Sequence, residues 1–145
     1  MARWDPWAAL TERDYIVYDR MPVPASAGGA MYWPVDEYAL IMIDPSEGRV
    51  RRRCLLAHEL VHDERWGGCD ASYMPPSWKA VVRREEGWVN DIVADRLVPP
   101  CELRAFCDRA VERGEAVTAA EVAAEFDVTD EVAERALRRL VGAGG

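Results

Sequence analysis

The chain has only two histidines, and they stand four residues apart in the segment His58-Glu59-Leu60-Val61-His62. That pairing constrains the local fold more than anything else in the sequence. On a helix, residues i and i+4 project from one face, so both imidazoles reach a common point only if this segment is helical. The surrounding pattern agrees: Leu56 and Leu60 fall four apart, and Ala57 and Val61 widen the apolar stripe. At this composition the chance of two histidines landing four apart with Glu directly after the first is on the order of one in a thousand.

The chemistry expected of such a helix is metal chemistry. Two neutral imidazoles and one carboxylate hold zinc and leave a coordination position open for water, whose pKa then falls toward about 7. Glu59 is the candidate base, taking the proton of that water and passing it to the leaving amine. The same donors also suit iron or manganese. The third ligand is not a histidine, because none remains, and this excludes an HExxHxxGxxH pattern. Asp70, Glu85 and Glu86 are the candidates. Helical periodicity leaves Glu85 and Glu86 open, since each neighbours apolar residues of its helix, and one of the two is expected to be exposed. A buried carboxylate without a partner charge is costly, which favours a metal near whichever is buried.

Along the chain, Asp5-Pro6 opens a short capped helix. Tyr15–Tyr18 and Met31–Trp33 read as short strands, separated by the Pro/Gly/Ser loop 21–29. Tyr38–Ile43 is the clearest strand, closed by Asp44-Pro45-Ser46-Glu47-Gly48. These imply a small antiparallel sheet, with Tyr38–Ile43 a candidate edge for an added substrate strand. Helix then dominates: the histidine helix from Arg51, a loop from Trp66 to Pro76, and a second long helix from Ser77 as N-cap to Val98, stopped by Pro99 and Pro100. A third helix spans Cys101–Arg113, and two short ones flank Asp127-Val128-Thr129. The fold class is therefore α+β, a small antiparallel sheet packed on the HExxH helix and a second long helix. Residues 1–100 form the core and 101–145 a helical, helix-turn-helix-like segment packed on it.

The tracts RRCLLAHELVH (52–62) and EGWVNDIVADRLVP (86–99) resemble the ImmA/IrrE family of zinc metallopeptidases. That family has r-x-t-l-a-H-E-l-g-H followed by E-x-x-A-N-x-F-A-x-x-L-L-x-P. Aligning on Asn90 and Pro99 puts the family's glutamate ligand on Glu86. The chain departs from the pattern at Val61, Val89, Ile92, Val93 and Arg96. The resemblance spans roughly residues 15 to 140 and implies a gluzincin-like fold, a zinc cofactor held by His58, His62 and Glu86, and endopeptidase activity. It also implies a protein substrate, a helix-turn-helix transcriptional repressor of a mobile element or stress response. Asn90 is a candidate to hydrogen-bond a ligand histidine, and Tyr73 a candidate to stabilise an oxyanion.

Charge narrows the alternatives. With a net charge of −8 and a pI near 4.8, the chain lacks the basic face that gripping nucleic acid requires. The second of the last two helices carries Asp130, Glu131 and Glu134 near its start, where phosphate contacts would be made, so direct DNA binding is not expected. Arg51, Arg52 and Arg53 form a partly solvated helix start able to guide an acidic peptide. No signal peptide or membrane span is evident, so a cytoplasmic location with reduced cysteines is expected; Cys69, in the loop after the metal motif, is the thiol placed to reach the ion. The alternative to a peptidase is a non-catalytic, metal-containing regulatory module that binds a repressor or other partner.

Overall fold

The computed structural model describes residues 2–66 and 76–144. Asp70, Tyr73 and Cys69 lie outside the described residues. The first helix, α1 (Pro6–Thr11), begins as its sequence dictates: the Asp5 carboxylate accepts from the Trp7 amide at 3.1 Å and proline occupies the first turn.

Three strands follow, β1 (Ile16–Arg20), β2 (Ala30–Val35) and β3 (Tyr38–Ile43), in the order β1-β3-β2. The sheet is mixed. β2 and β3 pair antiparallel through the turn at Asp36-Glu37, whereas β1 pairs parallel with β3. The reason is loop 21–29, which carries the chain past a full strand position; β3 then fills the gap between β1 and β2. The expected antiparallel sheet therefore holds only for the β2–β3 hairpin. Tyr38–Ile43 is also not an edge, because it is paired on both sides. Pro34 sits within edge strand β2 without loss, since the Ala39 amide opposite it is turned to Tyr15 of the other neighbour.

The long helix α2 (Arg49–Trp66) is the wall shared by two hydrophobic clusters. Leu56 and Leu60 pack against the inward row of the sheet, Tyr32, Ile41 and Ile43. Cys54, Ala57 and Val61 pack the other way, against Val89, Val93 and Leu97 of α3 (Lys79–Leu97). Val61 and Val89 stand where the resembling family has glycine and alanine, and both are fully buried in one cluster. A further anchor ties α2 to the sheet: Asp63 accepts hydrogen bonds from the Tyr32 hydroxyl at 2.7 Å and from the Tyr15 hydroxyl. The loop comes close to the start of α2 at Gly29 (φ 101°), where a Cβ would lie 2.6 Å from the Glu47 carboxylate and 3.3 Å from Leu55 of α2.

α3 starts later than expected. Pro76–Trp78 form a 3-10 turn, and the helix is preceded by Trp78 rather than capped by Ser77. Pro99 and Pro100 end α3 and also begin α4 (Pro100–Glu112), because proline suits the first helical turn. The boundary drawn at residue 100 thus falls at the start of a helix. The last helices, α5 (Ala119–Phe126) and α6 (Asp130–Gly142), bury Val122, Phe126, Ala133 and Ala136 in the same cluster as α2 and α3. On α6, Arg135 pairs with Asp91 at 2.6 Å and Arg139 with Asp95 at 2.7 Å, both on α3. Two basic side chains that a DNA-reading helix would offer to phosphate are thereby engaged within the chain.

α5 opens with a capping box: Thr118 Oγ1 accepts from the Glu121 amide at 3.3 Å, and the Glu121 carboxylate accepts from the Thr118 amide at 2.8 Å. Thr118→Ala is expected to lower stability by about 1 kcal/mol in urea unfolding. An unchanged midpoint would show that tertiary packing alone holds this end of the helix.

Candidate metal centre

The site lies where α2 and α3 face each other. His58 and His62 leave one face of α2, and their Nε2 atoms come within 3.0 Å. Glu86 reaches across from α3, its two carboxylate oxygens 3.1 Å from His58 Nε2 and 2.9 Å from His62 Nε2. Among the described residues, this is the group of metal-capable side chains whose donor atoms all lie within 4.8 Å of one another.

Glu85, adjacent in sequence, does something else. It turns to Arg65 near the end of α2, with Oε1 2.5 Å from Nε and Oε2 3.2 Å from the terminal guanidinium nitrogen. The expectation that one of the two glutamates is exposed fails, because both are half-buried. Glu85 is in fact the more covered, its side chain 15% exposed against 38% for Glu86.

Asn90 stands one helical turn beyond Glu86, with its Oδ1 3.0 Å from His58 Nδ1. An amide oxygen only accepts, so Nδ1–H donates to it and the Nε2 lone pair is turned toward Glu86 and His62. The His62 Nε2 and the Glu86 carboxylate complete the set, an arrangement satisfied by a cation at its centre or, with none bound, by protons on the two Nε2 atoms that donate to Glu86. Tetrahedral zinc with ligand bonds of about 2.0–2.1 Å would separate its donors by about 3.3 Å. The observed 2.9–3.1 Å comes within a few tenths of an ångström of that, so the donor set fits such an ion.

The electrostatics follow from the same convergence. Burial alone would push the Glu86 carboxyl up, but hydrogen bonds from His58 and His62 outweigh it and hold the group well below the usual carboxylate range. For His58, burial acts downward, and the Glu86 hydrogen bond and the nearby Glu59 charge more than offset it, leaving the imidazole raised. Glu59 is buried at 7% exposure and is not among the converging donors. With His58 it lines a cleft of about 260 Å³ that opens along the N-terminal half of α2.

The arginine triplet is less free than its sequence suggests. Arg51 pairs with Glu47 at 2.9 Å and reaches the Gly28 carbonyl at 3.1 Å, while Arg53 donates to the Asp127 carbonyl at 2.8 Å. Residues of the first turn of α6, including Thr129 and Val132, also line the cleft. Their approach lies outside any local motif, some seventy residues from the histidines; only the capping signature at Thr129 is legible beforehand.

Asn90→Ala is expected to weaken zinc binding by about 10–100-fold, read by competition with a chromophoric chelator. Unchanged affinity would make Asn90 a bystander.

A scan against protein-family models and a search of curated proteins both return no match to this chain.

Proposed function

We propose that the chain is a zinc-dependent endopeptidase in which His58, His62 and Glu86 hold the metal and Glu59 is the general base. The observation that carries this reading is the convergence of the two Nε2 atoms and one carboxylate from two helices, beside a buried glutamate that is not part of the donor set. A zinc ion held there would supply a Lewis acid to polarise the scissile carbonyl and would lower the pKa of water toward about 7. The Glu59 carboxylate accepts the proton of the attacking water and returns it to the nitrogen of the departing amine. Asn90 fixes the tautomer and orientation of His58 through Nδ1. Leu60 and Val61, both fully buried, hold the helix that carries all three α2 residues against its two neighbours.

The substrate proposed is a protein partner, a helix-turn-helix transcriptional repressor, on the strength of the resemblance to the ImmA/IrrE peptidases. The compartment proposed is the cytoplasm; no helix is long and apolar enough to cross a membrane among the described residues. The pairing of Arg135 and Arg139 with α3 supports a docked, non-DNA-reading role for the last helices.

The test is incubation of the zinc-loaded chain with helix-turn-helix repressors, read by mass spectrometry of fragments. Fragments are expected that vanish on chelation and return on adding zinc. Intact repressor in the presence of one zinc per chain would count against the enzyme and for the non-catalytic regulatory module.

A further inference from the structure

We infer that the cleft beside Glu59 is a subsite for one bulky apolar side chain of the substrate polypeptide, with the first turn of α6 as the wall that sets its specificity. This inference rests on the peptidase reading above and adds to it what the substrate must carry. Position comes first. His58 and Glu59 themselves line the cleft, so whatever fills it lies against the groups proposed to do the chemistry.

Size comes next. An apolar cavity of about 150 Å³ admits benzene, and this cleft measures about 260 Å³. It therefore takes an aromatic or long aliphatic side chain, and not two of them.

The lining decides the chemistry. Leu55 of α2, Val93 of α3 and Val132 of α6 supply apolar surface from three directions. Of the polar groups beside them, Arg51 and Thr129 are engaged within the chain. Arg51 faces Glu47 at 2.9 Å, Glu131 at 3.7 Å and the Gly28 carbonyl at 3.1 Å. The Thr129 hydroxyl accepts from the Val132 amide at 3.4 Å as the cap of α6. Glu131 is 82% exposed and therefore offers little to a charged side chain. Among the described residues that line the cleft, the one cation, Arg51, is already paired with Glu47, whereas a large apolar side chain finds three walls.

The α6 wall is anchored by Val128, Ala133 and Ala136, buried in the core, with ion pairs added at its surface. Asp127, just before the helix, forms a two-pronged pair with Arg49 at 2.6 and 2.7 Å, and Arg135 and Arg139 tie the next turns to α3. The C-terminal helices thus acquire a role that their charge pattern alone does not suggest, which is to close one side of a substrate pocket.

The experiment uses the zinc-loaded full chain carrying Glu59→Gln, so that binding is read without turnover. Its probes are blocked alanine pentapeptides with Gly, Leu or Phe moved through each position, titrated by calorimetry. At one position, Leu and Phe are expected to bind about tenfold or more tighter than Gly. Adding Val132→Trp, which fills the cleft, is expected to erase that preference while zinc content and melting temperature stay unchanged. If that variant loses zinc or melts early, Val132→Ala decides, with a peptide carrying Trp expected to gain affinity. Equal binding of all peptides, no binding of any, a preference that survives a folded, zinc-loaded Val132→Trp, or, where that variant fails, no gain for the Trp peptide in Val132→Ala overturns the inference. The peptidase reading fails separately, if chain with Glu59 intact binds the Leu and Phe peptides yet leaves protein substrates uncut.

Discussion

Exchanging Glu59 for glutamine is expected to slow peptide-bond cleavage by about 10²–10⁴-fold, the usual contribution of a positioned general base. That range corresponds to about 2.7–5.5 kcal/mol of transition-state stabilisation. Glutamine keeps the size of the side chain, which matters because Glu59 is buried at 7% exposure between the cleft and the helix core. It removes the basic oxygen that must take a proton. The donors that converge on the metal position are His58, His62 and Glu86, so zinc content is expected to remain at one per chain. The informative result is therefore a split: cutting lost, metal kept. Cutting at the wild-type rate by the glutamine variant would remove Glu59 from the chemistry. Repressor bound but left whole by both forms would transfer the metal to the regulatory-module reading.

What the sequence made legible, and what it did not, follows from the range of the interactions involved. The spacing of His58 and His62 is a local property of one helix, and the structure brings their Nε2 atoms within 3.0 Å. The cap at Asp5 is equally local and was readable. Strand Tyr38–Ile43 was legible as an element but not as the centre of the sheet. Its position depends on where loop 21–29 delivers the chain, and periodicity carries no information about that. Glu85 and Glu86 could not be separated by periodicity, because both sit among apolar neighbours. Their difference arises from tertiary partners, Arg65 for one and the two histidines for the other. The approach of Thr129 and Val132 to the cleft was invisible for the same reason, since it requires α6 to dock on α3 through Arg135 and Arg139.

Glu86→Ala is expected to weaken zinc binding by more than about a hundredfold, beyond the loss that follows from removing a hydrogen-bonded partner of a ligand. Glu85→Ala is expected to leave it unchanged. The contrast comes from neighbouring residues of one helix, so differences in helix propensity or in overall charge cancel between them. Glu86 places one oxygen 2.9 Å from His62 Nε2 and the other 3.1 Å from His58 Nε2; without it only two nitrogen donors remain, too few for a zinc site of three protein ligands. Glu85 ends on Arg65, a pair whose cation side chain is 31% exposed, so its loss is expected to cost at most about 1 kcal/mol of stability. Elemental analysis of protein purified without chelators, followed by chelator competition, reads both variants. About one zinc per chain in Glu85→Ala and little in Glu86→Ala would fix the third ligand. The reverse pattern would require α3 to turn about its axis by roughly 100°, the angle between successive residues of a helix with 3.6 residues per turn. That rotation would break the Asn90–His58 contact along with the arrangement proposed for catalysis.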